Sequence, residues 1–437
     1  MSKPLVVHVT PHLPGGLARI LHSTLKFSKS KLSKHHHEII VTDPKHFSNQ
    51  AKKIFKNYHK LIHVTHNNSS IRKKLIEADI IQIEYWNHPL VYKFLTTFDI
   101  PPARIILCSH TNGFSRPGVI TRNALDFCDI FLSTTKATAK HKLIKNTKNY
   151  KKFRHINYPI DIQRFGKITK KKHKGFNISY IGTLDYSKLH PNFLKMSNFN
   201  EIPNSSILVC GDGFHSKIMK REAKLINKKF KFLGFVENIK KILEITDILG
   251  YPLNKRHYGT GEQIILEAMY SKIPVVAFKN VAEKEIIQNN KTGILVNDEK
   301  EYKKQIINLN KSKFKRKKIG ISANKYVIKN LSPKVSFKKL DNIYNEVLKL
   351  NKKPRKFKNS LSWQLEKKNL GAKLFIESLG EKGNEFKKSF KNYGKKINYK
   401  INRKIANIES EMTTVTKGSI FQYLYFFPND SFLNFWV

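Results

Sequence analysis

Short apolar runs recur along most of this 437-residue chain, each followed by a turn or glycine loop and then a helical stretch. That alternation constrains the fold more than any other feature. Segments 5–9, 38–41, 79–83, Ile105–Ser109 and Ile130–Ser133 read as strands, and a helix is expected over 17–28 after the turn at Pro14-Gly15-Gly16. Runs this apolar, without polar alternation, belong to parallel strands covered on both faces. The pattern breaks around 157–165, and the basic run 170–174 follows, so this region reads as an interdomain hinge. The alternation then restarts, with strands expected at 178–182, 206–210, 230–233, Ile248–Tyr251, 274–278 and 293–296. Helices are expected at about 215–228, 238–246, 262–271 and 299–310. Repeated βα units build a parallel sheet with helices on both faces. The expected fold class is therefore α/β, with two Rossmann-like domains facing each other at 1–165 and 166–350, the second closed by a helix at roughly 334–350.

Ligands in open parallel sheets bind outside the carboxyl ends of the strands. Gly15-Gly16, Gly182, Gly211-Asp212-Gly213 and Gly259-Thr260-Gly261 all fall at that edge. The stretch 258–277 is the most informative of these, with a glycine loop, a helix opening near Glu262 and a buried strand ending at Phe278. A loop feeding a helix start offers free backbone N–H groups and the positive end of the helix dipole, which suit phosphate oxygens. Glu267 lies four residues after Gln263, on about the same helix face, where it can accept hydrogen bonds from vicinal hydroxyls such as those of a ribose. A diphosphate site beside a ribose site implies a nucleoside diphosphate ligand. The plainer reading is an ordinary βα unit whose glycines only make the turn.

Charge is the next constraint. Lys and Arg total 82 against 32 Asp and Glu, a formal net charge of +50. The lysines are spread along the whole chain, which favours a compositional bias over a dedicated polyanion surface, while leaving adhesion to an anionic membrane available. Between 351 and 400 there are 15 Lys and Arg against 4 Glu, and the segment from Phe421 to the end is strongly aromatic. That extension, 351–437, is read either as an appendage packed on the body or a partner-binding patch, or as an interfacial membrane anchor. No apolar stretch is long enough to span a bilayer, and the amino terminus reads as a first strand without the apolar core of a signal peptide. Cys108, Cys128 and Cys210 are far apart and fall in apolar segments, as reduced core residues would. These features lead to the expectation of a cytoplasmic protein, peripheral at most on the inner face of the membrane.

Over about residues 1–345, and most specifically over 178–296, the chain resembles the family 4 retaining glycosyltransferases of the GT-B fold, the glycosyl transferases group 1. Val6-Val-His-Val-Thr10 with Gly15-Gly16 is similar to the family's first strand and glycine loop. Asp79-Ile-Ile-Gln-Ile-Glu84 and Ile105-Ile-Leu-Cys-Ser-His110 are similar to later strands of its acceptor-side domain. Tyr180-Ile-Gly-Thr-Leu-Asp-Tyr-Ser-Lys188 resembles the opening of the donor domain. Val209-Cys-Gly-Asp-Gly213, Phe232-Leu-Gly-Phe-Val236, the 259–277 segment and Lys291-Thr-Gly-Ile-Leu-Val296 then follow in family order.

The resemblance implies transfer of a sugar from a nucleotide diphosphate sugar to a glycan or lipid-linked acceptor, with retention at the anomeric carbon. It implies no metal and no cofactor, the nucleotide sugar being a substrate. It assigns Lys188 to the diphosphate, the backbone of Gly261, Glu262 and Gln263 to the same phosphates, and Glu267 to the ribose. Gly16 is assigned to close backbone approach to the donor phosphate and His110 to the transferred sugar. The acceptor proton is taken by the leaving phosphate, so no enzymic general base is assigned. Two positions depart from the family pattern: Gly259 stands where its first glutamate is usual, and Thr183 where an arginine is usual. Lys255 or Arg256 is a candidate substitute for that arginine. These departures motivate a competing reading as a catalytically inactive GT-B scaffold. The charge motivates another, a polyanion-binding protein, although no recognised nucleic-acid module is present and no specific nucleic-acid partner is expected.

Overall fold

The computed structural model describes residues 2–13, 15–114, 116, 118–166, 168–260, 263–358, 369–391 and 417–436. The chain divides into two compact units, one made of Met1–Ile156 and Phe337–Val437, the other of Asn157–Ser336.

The first unit holds a seven-stranded parallel sheet. Its strands are β1 (Leu5–Thr10), β2 (His36–Val41), β3 (Ile62–Val64), β4 (Ile80–Tyr85), β5 (Ile105–Ser109), β6 (Ile130–Ser133) and β7 (Phe153–His155), in the order β3-β2-β1-β4-β5-β6-β7. The apolar runs of the sequence form the five inner strands, and every residue of β4, β5 and β6 is buried. The edge strands β3 and β7 were not expected. Each is three residues long and mixes a histidine or arginine with apolar residues, so neither makes an apolar run.

The second unit holds a six-stranded parallel sheet. Its strands are β8 (Phe176–Ile181), β9 (Ser205–Cys210), β10 (Phe230–Gly234), β11 (Ile248–Tyr251), β12 (Val275–Phe278) and β13 (Ile294–Val296), in the order β10-β9-β8-β11-β12-β13. Strand order therefore reverses between β1 and β4 in one unit and between β8 and β11 in the other. Such switch points open a crevice at the carboxyl ends of the strands.

The helix Lys313–Leu331 was absent from the sequence reading, because its lysines mask a narrow apolar stripe. The stripe of Ile319, Ala323, Val327 and Leu331 is nonetheless buried, and Gly320 allows a close approach in which a Cβ would meet the Lys272 carbonyl at 2.1 Å. The following helix, Pro333–Leu348, was expected to close the second domain. From Phe337 onward it belongs to the first unit. There Phe337 stacks on Phe27 with ring centroids 4.5 Å apart, and His35 Nδ1 lies 2.7 Å from the Asp341 carboxylate.

In the extension, helices Leu370–Ser378, Gly383–Lys391, Ile420–Phe426 and Ser431–Trp436 are described. Ala372, Phe375, Ile376, Phe386, Tyr423 and Leu433 join the hydrophobic core of the first unit. Asn87 Nδ2 donates to the Ser378 carbonyl at 2.6 Å. The described residues of the extension thus pack on the first unit. Among them, no helix is long and apolar enough to cross a membrane. All three cysteines are buried and free.

Candidate functional site

In the first unit a row of polar side chains crosses one face of an otherwise apolar sheet. Glu84 on β4 is fully buried. Its Oε1 accepts from His8 Nδ1 on β1 at 2.8 Å and from Gln82 Nε2 at 3.0 Å, and its Oε2 accepts from His110 Nε2 at 2.5 Å. His8 Nε2 lies 2.9 Å from His37 Nδ1 on β2, and the Tyr344 hydroxyl donates to Gln82 Oε1 at 2.8 Å. Burial alone pushes a carboxyl group up, but hydrogen bonds from His110 and His8 outweigh it and hold Glu84 at about 2. The carboxylate fixes the ring plane of His110 and places a proton on its Nε2. His110, directly after β5, is the member of the row nearest solvent, with 14% of its side chain exposed.

Among the described residues, Glu84, Cys108 and His110 are the group of potential metal donors whose ligand atoms lie within 4.8 Å of one another. Both Glu84 oxygens already accept hydrogen bonds, so the group is a hydrogen-bond hub in this arrangement. Gly16 lies in the first turn of helix Gly15–Ser28 and is exposed. A Cβ there would meet nothing within 4 Å, so among the described residues no packing requires a glycine.

In the second unit the loops after β8 and β11 are tied together at the switch point. Asn254 N donates to the Lys188 carbonyl at 2.7 Å, and Asn254 Nδ2 donates to the Tyr186 carbonyl at 2.9 Å. Lys188 sits half-buried in the turn 186–188, where its N–H donates to the Asp185 carbonyl at 2.9 Å. Thr183, Lys255 and Arg256 are exposed along these same loops. Gly211, at φ +139°, packs so closely that a Cβ would lie 1.8 Å from the Gly182 carbonyl. Those two glycines therefore serve loop packing, a use the ligand-edge reading had not separated from phosphate binding.

The loop entering helix Gln263–Tyr270 is held by a buried pair. His257 Nδ1 accepts from Gly259 N at 3.0 Å, so the neutral ring carries its proton on Nε2 and donates it to the Glu283 carboxylate, with distances of 3.1 and 3.2 Å to its two oxygens. Both side chains are buried. Gly261 and Glu262 lie outside the described residues. Gln263 is half-buried, with Nε2 3.5 Å from the Tyr158 carbonyl. Glu267 is 6% exposed in a helix whose Ile264, Ile265, Leu266, Ala268 and Met269 are all buried. A carboxylate held in such surroundings is costly unless it has polar partners.

Glu84, His8, His257 and Glu283 were not singled out from sequence. The available signal was charge in the wrong place: Gln82 and Glu84 alternate within a strand that is otherwise Ile and Tyr, on a central position where both faces are covered.

Residues 161–326 match the family model described as glycosyl transferases group 1. No curated protein matches the sequence. Among solved structures, the chain is similar to Anabaena Alr3699/HepE in complex with UDP and glucose, with a TM-score of 0.64 and 14% identity over 80% of this chain and 100% of that one. A glycosyltransferase from Rickettsia africae gives a TM-score of 0.61 at 18% identity, over 80% of this chain and 100% of that one. The lipopolysaccharide outer core galactosyltransferase WaaB gives 0.57 at 12% identity, over 79% and 100%. The chain thus has the α/β fold of the GT-B glycosyltransferases, with a glycosyl transferases group 1 domain at 161–326.

Proposed function

We propose that the protein is a retaining glycosyltransferase of the family 4 type. On this reading it moves a sugar from a UDP-sugar to a glycan or lipid-linked acceptor in cell-surface polysaccharide assembly, working at the inner face of a membrane. The observation that carries the donor reading is Glu267, a carboxylate one turn into a buried helix, behind a loop pinned by His257 and Glu283. UDP as the base is supported by the UDP complex of the Anabaena protein.

The second unit then binds the donor. Glu267 accepts from the ribose hydroxyls, and Gly261, Glu262 and Gln263 present backbone N–H groups to the diphosphate. Lys188 supplies a point charge where negative charge grows as the diphosphate leaves. Arg256 or Lys255, exposed on the same loop system, takes the place of the arginine absent at Thr183. Gly16 leaves room for backbone approach to the phosphate. His110, oriented by Glu84, hydrogen-bonds a hydroxyl of the transferred sugar. The leaving phosphate oxygen takes the acceptor proton, so the step needs no enzymic base. The reaction is proposed to proceed without a resident metal or cofactor, the positive charge coming from Lys188 and the backbone.

The test is release of UDP from UDP-glucose, UDP-galactose and UDP-N-acetylglucosamine, with the anomer of the first-formed sugar product read by proton NMR. Release of UDP with an α product from an α donor is expected, in the presence of EDTA as well. A β product, or no UDP from any donor, would overturn the proposal.

A further inference from the structure

The β1/β4 switch point of the first unit carries a second cluster that the proposed transfer chemistry does not use. His12 follows β1, His46 follows β2 and His88 follows β4. Together with Phe421, Tyr425 and Phe426 of helix Ile420–Phe426 they line an open-sided cavity of about 460 Å³. That volume falls within the roughly 300–1,000 Å³ of small-molecule sites.

Two of the three histidines of this cavity are neutral and underused, while His46 is held by the Asp43 carboxylate. His88 Nδ1 accepts from Leu90 N at 3.2 Å, so the neutral ring carries its proton on Nε2, and that buried N–H has no hydrogen-bond partner among the described residues. His12 Nδ1 is likewise buried without a partner. Burial lowers His12 to about 4 and His88 well below the usual histidine value. At neutral pH His88 therefore offers its Nε2–H as a donor, and the neutral His12 ring offers one donor and one acceptor. The walls are aromatic: Phe426 lies 4.9 Å from the His88 ring and 5.4 Å from the His46 ring, centroid to centroid, and Tyr425 OH is 3.2 Å from His46 Nε2.

Charge narrows the ligand. Among the described residues, no lysine, arginine or carboxylate lines this cavity; the nearest charges are Asp43, bonded to His46, and Lys417, which acts on His12 and His88. A different cavity of about 540 Å³, after β5 and β6, is by contrast lined by charge of both signs, Arg122, Lys142, Lys382 and Lys387 with Glu377 and Glu381. A metal ion is not the match either, since among the described residues the group with ligating spacing is Glu84, Cys108 and His110. Paired neutral donors and acceptors between aromatic faces suit a pyranose, whose hydroxyls both donate and accept and whose C–H faces pack on rings.

We propose that this cavity is a carbohydrate subsite that holds an uncharged sugar residue of the acceptor, with the C-terminal helix Ile420–Phe426 as its wall. Calling the sugar an acceptor rests on the transferase reading above; the binding chemistry does not. The C-terminal extension is then a specificity element of the first unit.

The experiment is saturation-transfer NMR of the full chain with methyl α-glucoside, lactose and N,N′-diacetylchitobiose, with methyl glucuronide and zinc as comparators. It is run on wild type, His88→Phe and Tyr425→Ala, and thermal stabilisation by UDP is recorded on the same samples. His88→Phe keeps a buried ring and removes the N–H, while Tyr425 is 68% exposed, so its loss leaves the core intact. At least one neutral sugar should bind wild type, and each variant should weaken it about tenfold, the worth of one well-made hydrogen bond or ring contact. UDP stabilisation should stay unchanged in both. No neutral sugar bound, equal binding by both variants, or preferential binding of glucuronide or zinc at these residues would overturn the subsite. Loss of the UDP response in wild type would instead overturn the transferase reading and leave the sugar result standing.

Discussion

Glu84 Oε2 accepts the Nε2–H of His110 at 2.5 Å, from a carboxylate with no exposure to solvent. The same carboxylate is anchored on its other oxygen by His8 and Gln82, so the first histidine after β5 is tied to two other strands, β1 and β4. A side chain meant to contact a reacting sugar gains from such fixing, because orientation lost in the transition state is lost rate.

Glu84→Gln should therefore damage both stability and turnover. Removing the charge from a buried, paired carboxylate costs about 3–5 kcal/mol, read as a lower urea midpoint. Turnover should fall about 100-fold while UDP affinity holds, since His110 is left misoriented and the nucleotide residues are untouched. Unchanged turnover in the folded variant would remove Glu84 from the account.

Glu267→Ala should weaken UDP binding by about tenfold or more, measured by calorimetry, because two ribose hydroxyls lose a charged acceptor. Lys188→Ala should lower kcat more than it lowers UDP affinity, because its charge is worth most as the diphosphate departs. Full activity in both variants would show the donor site to be wrongly assigned.

His257→Ala leaves Gly259 N and the Glu283 carboxylate without their buried partner. An unpaired buried polar group costs about 1–3 kcal/mol, more for a charge. The melting temperature should fall, and UDP affinity should fall with it, because the loop entering Gln263–Tyr270 loses its pin. Glu283→Gln, which still accepts from His257 Nε2, should recover most of the affinity. Equal loss in both variants would make the pair a packing element only.

Acid should destabilise the fold in two stages. His12 is lowered to about 4, and His37 and His88 well below 6.5, chiefly by burial. As pH falls through 6.5 the unfolded chain takes up protons at these rings while the folded chain does not, so their contribution is present above 6.5 and is lost toward pH 4 and below. Glu84, held at about 2, adds stability that is present above the ordinary 4.5 and is lost as pH falls toward 2. Urea midpoints should drop steadily from pH 7 to pH 4.5, and His88→Phe should flatten that slope. A midpoint that rises on acidification would contradict the neutral-histidine assignment.

The inner strands of both sheets were legible from sequence because burial on both faces leaves an unbroken apolar run, as in Ile105–Ser109 and Ile248–Tyr251. Edge strands β3 and β7 were not, since a strand paired on one side needs no such run. The burial of Glu267 was legible because it is a lone carboxylate in an apolar helix. The Glu84 network was not, because its members lie 76 and 26 residues apart and meet only through strand order. The move of Phe337 and Tyr344 into the first unit is hidden for the same reason: the partners Phe27 and Gln82 are distant in sequence.

The most direct test of the central claim is a thermal-shift panel of UDP, GDP, ADP and CMP, with heparin and DNA as controls. A bound nucleotide at about 100 times its Kd stabilises the native state by about 2.7 kcal/mol. The account predicts stabilisation by UDP that is lost in Glu267→Ala. No response to any nucleotide, with a salt-sensitive response to heparin or DNA, would contradict it and favour a polyanion-binding or inactive scaffold.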